Sequence, residues 1–171
     1  MVFVRSFSPV ALADARVLIL GSMPGAASLA AGRYYAHPRN AFWPMLAEVC
    51  GFAVNASYEQ RLAAVMARGI ALWDVLQQCE REGSLDGDIV ATTATVNDFA
   101  TFLNAHPGIT RVLCNGGAAF SLFSRRVVPS LAALGRSVPA VQMPSTSPAH
   151  AACTFAQKLA TWRRHLATCL A

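Results

Sequence analysis

Residues 17–20 form a continuous apolar run, Val-Leu-Ile-Leu, which passes directly into the loop sequence Gly-Ser-Met-Pro-Gly at residues 21–25. An apolar run without polar alternation is typical of a strand that is buried on both faces, as in a parallel sheet. Sheets of this kind bind ligands in the crevice beyond the carboxyl ends of their strands. This feature therefore favours an open α/β fold with a candidate site in the loop after the strand.

Apolar segments alternate with segments of helical periodicity along the rest of the chain. Pro44 is compatible with a helix only in its first turn, which places the start of one helix near Trp43. We predict strands at 16–20, 70–75, 110–114 and 138–143, with a weak edge strand at 2–7. We predict helices at 43–49, 59–67, 118–134 (with a break near Pro129) and 149–170, a short helix after 96–98, and a loop at 80–88. This order predicts an α/β fold of three layers, α/β/α, with a mostly parallel central sheet, in a single domain over residues 1–171.

The composition, 54% hydrophobic and 13% charged, indicates a compact globular protein. The net charge of +5 is compatible with a polyanionic partner such as DNA, although an arginine-rich composition is also expected from a GC-rich genome. The five cysteines include no CxxC pair, so we expect reduced thiols, no metal and no cofactor. No signal segment or membrane span is evident, so we expect a cytoplasmic protein, and we expect a monomer.

Polar loops follow three of the predicted strands, at residues 21–40, 115–117 and 144–150. The carboxyl ends of parallel strands lie along one edge of a sheet, so we expect these loops to form one crevice. The first loop contains neither GxGxxG nor GxxxxGK[ST], which argues against a dinucleotide or nucleoside triphosphate site.

Five short segments occur in an order that resembles a known family. They are Gly-Ser-Met-Pro-Gly at 21–25, Tyr-Tyr-Ala-His-Pro-Arg-Asn-Ala-Phe-Trp at 34–43, Leu-Trp-Asp-Val at 72–75, Gly-Ser-Leu-Asp at 83–86 and Pro-Ser-Thr-Ser-Pro-Ala at 144–149. Together they resemble the uracil-DNA glycosylase superfamily, and in detail the hypoxanthine-DNA (deoxyinosine) glycosylase branch. The resemblance implies a uracil-DNA glycosylase-like fold and a repair enzyme that flips a deaminated base out of DNA and hydrolyses its N-glycosidic bond.

Two positions depart from the pattern of many superfamily members. Met23 stands where many members have the Asn or Asp that positions the attacking water, and Met143 corresponds to a His or Asn that supports the leaving base. The resemblance to the deoxyinosine branch then implies that Asn40 positions the water. The alternative is that Asn40 caps the next helix, but Pro44 would then occupy the position that donates the first intrahelical hydrogen bond.

The resemblance also implies residues that bind the base and the DNA. Tyr35 is the expected stacking platform, and Ser22, Met23 and Asp74 are expected beside the base; Ser84 and Asp86 are weaker candidates. Ordinary packing is the alternative for Tyr35, and a helix cap or an arginine partner is the alternative for Asp74. The expected DNA contacts are His37, Asn115, Ser145, Thr146, Ser147 and His150. The alternatives for these residues are bracing of a loop, a structural turn or a helix cap.

Lys158 is the only lysine, and it is distant in sequence from every motif loop. Because lyase activity usually needs an amine that forms a Schiff base, we predict a monofunctional glycosylase. The expected substrate is DNA that contains deaminated bases, above all deoxyinosine. The alternatives are a mismatch-specific uracil/thymine glycosylase, a damaged-DNA binder without catalysis, and a hydrolase of small nucleosides or nucleotides.

Overall fold

The central element is a four-stranded parallel sheet in the order β3-β2-β6-β7, as seen in a computed structural model that describes residues 2–171. Its strands are β2 (Val17–Gly21), β3 (Ile70–Asp74), β6 (Arg111–Asn115) and β7 (Ala140–Met143). A small antiparallel sheet, β1-β4-β5, lies beside it and is formed by β1 (Phe3–Arg5), β4 (Leu76–Glu80) and β5 (Thr95–Val96).

Strand β2 shows why the sheet is covered on both faces. Val17 and Ile19 belong to one hydrophobic cluster, whereas Leu18 and Leu20 belong to another, and all four are fully buried. Successive side chains of a strand point to opposite faces, so each face of the sheet has its own core. The predicted three-layer α/β/α class with a mostly parallel sheet is confirmed.

The helices divide between these two cores. The Val17 face packs against α2 (Phe42–Cys50), α3 (Tyr58–Ala67) and α7 (Phe155–Leu170), whereas the Leu18 face packs against α4 (Phe99–Ala105), α5 (Gly117–Leu122) and α6 (Val128–Ala133). Helix α1 (Ala26–Ala31), inside the first motif loop, was not predicted. Along residues 2–171, no helix combines the length and the apolar character needed to cross a membrane.

The predicted start of the last helix at residue 149 is wrong. Helix α7 begins at Phe155, where Thr154 and Gln157 form a reciprocal capping box. Residues 149–153 remain outside the helix, so the Ser145–Ser147 hydroxyls do not stand at its N-terminus. The first residue of α7, Phe155, lies eight residues beyond Ser147.

One other predicted boundary needs correction. The loop predicted over 80–88 begins one residue later, because β4 extends to Glu80, and it ends in a 3₁₀ turn at Asp86–Asp88. The break predicted near Pro129 in the helix at 118–134 is confirmed, because a π-helical turn at Phe123–Val127 interrupts the helix just before this proline. Proline lacks an N–H group, so a change in the hydrogen-bond pattern is expected there.

Candidate active site

The three polar loops meet in one cavity of about 450 Å³ at the carboxyl edge of the parallel sheet. The convergence predicted from the strand order is therefore confirmed for these loops. A fourth segment, Ser84–Asp86, closes the cavity from the side of the small sheet. Cavities of this size are typical of sites for small ligands or for a single extruded group.

The floor of the cavity is formed where Gly21 and Asp74 lie side by side at the ends of β2 and β3. A Cβ atom on Gly21 would lie 2.5 Å from Asp74 Oδ1 and 3.3 Å from the Tyr35 hydroxyl, so a side chain here would clash with the carboxyl group and crowd the phenol. The absence of a side chain at Gly21 is what lets the carboxyl group occupy the floor.

Asp74 is a buried carboxyl group that lacks a full set of partners. The residue is only 3% exposed, and its Oδ2 atom has no hydrogen-bond partner. Burial, with a smaller contribution from the charge on Asp86, raises the pKa of Asp74 from 3.8 to about 7, although the Arg81 guanidinium opposes the shift. The neutral carboxyl group therefore persists almost to neutral pH.

Tyr35 lines the same cavity in a constrained conformation. Its φ of 53° is in the left-handed region, and its ring stacks on Phe42, with ring centroids 3.7 Å apart and planes 19° apart. The hydroxyl is buried without a hydrogen-bond partner, and burial raises the pKa of this phenol. Stacking on Phe42 thus holds the ring beside the cavity, with a neutral hydroxyl directed at the floor.

Asn40 lines the cavity and also braces the start of helix α2. Its side-chain oxygen accepts a hydrogen bond from the backbone N–H of Phe42 at 3.0 Å, while Ala41 occupies the N-cap position. Pro44 is the third residue of the helix, and the first intrahelical bond runs from Met45 N–H to the Ala41 carbonyl. A carbonyl oxygen accepts two hydrogen bonds, so the bracing role leaves one acceptor position for a ligand or a water.

Met23 and Met143, the two positions that differ from the superfamily pattern, belong to hydrophobic clusters. Met23 is 6% exposed and belongs to the cluster of Leu76 and Cys79, although the residue also lines the cavity. Met143 is 1% exposed and belongs to the core on the Val17 face of the sheet. Neither side chain offers a strong hydrogen-bonding group.

Residues 81–86 hold the first motif loop in place. The Ser22 hydroxyl donates to the Asp86 carboxylate, the Ser84 hydroxyl accepts from the Ala26 N–H at 3.0 Å, and the Arg81 guanidinium donates to the Pro24 carbonyl. Arg81 is 1% exposed, and its Nε and Nη1 atoms have no partner. The Gly-Ser-Leu-Asp motif indicated a role for Ser84 and Asp86, whereas nothing in the sequence distinguished Arg81 from the other arginines.

The loop after β7 is attached to its neighbours through Thr146. The side-chain amide of Asn115 donates to the Thr146 hydroxyl at 2.8 Å and accepts from the Thr146 N–H at 2.9 Å. The Thr146 carbonyl accepts from the Ala41 N–H at 3.0 Å, and the residue is 1% exposed. These contacts give Asn115 and Thr146 the bracing role that we considered as the alternative to DNA contact.

Ser145, Ser147 and His37 remain on the cavity wall. Each serine hydroxyl accepts a hydrogen bond at 3.2 Å from the N–H two residues further on, and His37 Nδ1 accepts from the Arg39 N–H at 3.1 Å. Arg39 is exposed beside them and also lines the cavity, a position that was not predicted. Its position inside the motif at residues 34–43 could have indicated that Arg39 lies at the cavity.

His150 and Lys158 stand together outside the cavity lining. The Lys158 ammonium donates to the His150 carbonyl at 2.8 Å, and the lysine is 6% exposed. The sole lysine is therefore in contact with a motif loop despite its distance in sequence, because α7 folds back beneath that loop. Among residues 2–171, no three His, Cys, Asp or Glu side chains come together as a metal site.

Comparison with known proteins identifies the family. The model of the uracil DNA glycosylase superfamily matches residues 8–167. The chain belongs to this superfamily. The resemblance drawn from the motifs is thus confirmed, as is the class of enzyme, a DNA glycosylase that hydrolyses N-glycosyl bonds.

Curated relatives and a solved structure support this membership. A hypoxanthine DNA glycosylase of Methanosarcina barkeri (strain Fusaro) is 36% identical over 113 residues, which cover 66% of this chain and 70% of the relative. A hypoxanthine DNA glycosylase of Methanosarcina acetivorans is 33% identical over 116 residues, which cover 67% of this chain and 72% of the relative. The solution NMR structure of a proposed uracil DNA glycosylase from M. acetivorans has a TM-score of 0.76 and 29% identity, and covers 97% of this chain and 99% of that one.

The buried Asp74 carboxyl group predicts a pH-dependent gain in stability for Asp74→Asn. Between pH 4 and pH 7 the folded state retains a proton that the unfolded state loses, so the wild type loses stability as pH rises through this window. Asparagine is neutral throughout, and we expect it to raise the free energy of unfolding by about 2–4 kcal/mol more at pH 8 than at pH 4.

Urea unfolding at the two pH values measures this difference. Asp14→Asn is the matched control, because Asp14 is an exposed carboxylate outside the cavity. We expect the control to show no such gain. An Asp74→Asn effect of equal size at pH 4 and pH 8 would contradict the assignment of a neutral buried carboxyl group.

Proposed function

We propose that this DNA glycosylase removes hypoxanthine from deoxyinosine in DNA, by flipping the damaged nucleotide into the cavity. The observation that carries the proposal is the convergence of Tyr35, Asn40 and Asp74 on one cavity of about 450 Å³. The names of the two Methanosarcina relatives support hypoxanthine as the base. Enzymes that act on a base must take it out of the helix, because the reacting bond is inaccessible inside the duplex.

In the proposed mechanism, Asn40 positions the attacking water. Cleavage of an N-glycosidic bond builds positive charge on the sugar and negative charge on the departing base, so a correctly placed water and donors to the base lower the barrier. The hydrogen bond from the Phe42 N–H fixes the orientation of the Asn40 amide, which leaves its second acceptor position for the water.

The extruded base stacks on Tyr35, while the floor and the first loop contact its polar edge. Stacking of a base on an aromatic side chain contributes about 1–3 kcal/mol. Phe42 supports the Tyr35 ring from the other side, so the platform does not reorganise when the base enters. Asp74 and Ser22 contact the edge of the base, and Met23 packs at the wall.

The DNA strand runs along the rim beside His37, Ser145 and Ser147, with Arg39 as an added phosphate contact. Hydroxyl and guanidinium groups are common partners of phosphate oxygens. Asn115 and Thr146 hold the rim in place. His150 lies at the end of the loop after β7, and Lys158 holds its carbonyl group in position.

We also propose that the protein acts as a monomer in the cytoplasm. Its five cysteines are all free thiols, as expected in a reducing compartment.

The first test is alkaline cleavage of duplexes that carry deoxyinosine, uracil or a thymine mismatch after single-turnover incubation. We expect cleavage at deoxyinosine, and we expect Asn40→Ala to slow it by about 10²-fold or more, which is the typical cost of losing one group that stabilises a transition state. Asn40→Asp keeps an acceptor for both the Phe42 N–H and the water, so it should retain more activity than the alanine variant.

The matched control is Asp98→Ala, which removes a helix cap far from the cavity. It should lose stability comparably to Asn40→Ala while its rate stays within about threefold. Cleavage at uracil or thymine mismatches alone would favour the mismatch-specific alternative. Tight binding of deoxyinosine DNA without cleavage would favour a damage binder, and activity on free inosine alone would favour a nucleoside hydrolase.

We further propose that the enzyme is monofunctional and leaves an intact abasic site. The only lysine is buried, donates to the His150 carbonyl and does not line the cavity. With sodium borohydride present during turnover, we expect no covalent adduct between protein and deoxyinosine DNA, while a bifunctional glycosylase with its own substrate gives one. An adduct that accumulates in proportion to base release would contradict the proposal.

A further inference from the structure

The departing base needs a hydrogen-bond donor, and Met143, which the motif resemblance places beside the leaving base, has no such group. Met143 is 1% exposed and packs in the core, so it cannot contact the base through a polar atom. The polar groups at the floor of the cavity are the Asp74 carboxyl group and the Tyr35 hydroxyl. Both carry an atom that is buried without a hydrogen-bond partner.

We propose that Asp74 is a catalytic residue that acts in its neutral form and donates its carboxyl O–H to the carbonyl oxygen of the departing base. This inference rests on the proposed function, since it concerns a base in the same cavity. The geometry that carries it is the placement of the carboxyl group against Gly21, where no side chain lies between Oδ1 and the cavity.

The chemistry of hypoxanthine matches a neutral carboxyl group. The base presents an O6 acceptor, and a neutral carboxyl group presents the O–H donor that such an acceptor needs. An ionised carboxylate has only acceptors and would repel O6. Negative charge develops on O6 as the bond breaks, so the O–H···O6 contact strengthens in the transition state.

The reaction balances without any further reactant. The bond between C1′ and N9 breaks, and its electron pair remains with the base, whose charge is shared by O6. The water oxygen bonds to C1′ and releases a proton to solvent, while the base takes a proton from Asp74. Exchange with solvent then restores the proton on the carboxyl group, so base and abasic DNA are the only products.

Two charged groups and two phenols face Asp74, and one of the phenols is Tyr34, whose pKa burial raises so that it is neutral as well. Tyr35 contributes a neutral phenol from the first loop, Asp86 a negative charge from the 3₁₀ turn, and Arg81 a positive charge from the end of β4. Burial is the largest influence, and the pKa of Asp74 reaches about 7. The donor form therefore dominates below pH 7 and is lost above it.

The test is the single-turnover rate of hypoxanthine release from a deoxyinosine duplex at saturating protein, between pH 5.5 and pH 8.5. For the wild type, we expect a plateau at low pH and a fall of about tenfold per pH unit above pH 7, as for a required single acid. Asp74→Asn keeps an N–H donor at every pH, so its rate should not vary with pH. Asp74→Ala should be slow throughout.

A second variant tests the same point without removing the donor. Asp86→Asn removes the negative charge that raises the pKa of Asp74, so the fall in rate should move to lower pH. A merely structural role for Asp74 would not produce this displacement. Circular dichroism at each pH confirms that the variants compared are folded.

The outcomes separate this inference from the proposed function. Release of hypoxanthine at a rate that does not fall between pH 7 and pH 8.5 would overturn the role of Asp74 and leave the proposed function standing. A fall that is unchanged in Asp74→Asn would do the same. Absence of hypoxanthine release by the wild type at every pH would overturn the proposed function, and this inference with it.

Discussion

The parallel register of β2 and β3 places Gly21 directly beside Asp74, and the candidate site depends on this pairing. The pairing brings a carboxyl group to the end of a buried strand, where burial opposes its ionisation. A hydrophobic core on each face of the sheet holds the two strands in place. The stability of the core is thus what keeps an unfavourable polar group at the floor of the cavity.

The walls of the cavity come from segments that are distant in sequence but bonded to one another. Thr146 connects the loop after β7 to Asn115 and to Ala41 at the start of α2. Residues 81–86 hold the first loop through Ser22, Pro24 and Ala26. Displacement of one loop would therefore disturb the others, which suits a site that must position a water, a sugar and a base relative to one another.

The layered fold and the position of the cavity could be predicted from the sequence, because buried strands such as residues 17–20 and 110–114 are local patterns and their polar exits share one edge. The start of α7 could not, because Pro148 and the capping box at Thr154 are both plausible helix starts and only packing decides between them. The burial of Arg81 and the raised pKa of Asp74 could not be predicted either, since both depend on neighbours that only the tertiary structure brings together.

The most direct measurement of the central claim compares hypoxanthine release by Gly21→Ala and Gly25→Ala. A Cβ at Gly21 would meet the Asp74 carboxyl group at 2.5 Å, whereas a Cβ at Gly25 would meet only Ser84, at 3.9 Å. If the pairing of Gly21 with Asp74 builds the site, the first variant should fold yet release the base about 10²-fold more slowly, and the second should stay within a few-fold of the wild type. Equal rates for the two folded variants would contradict the account.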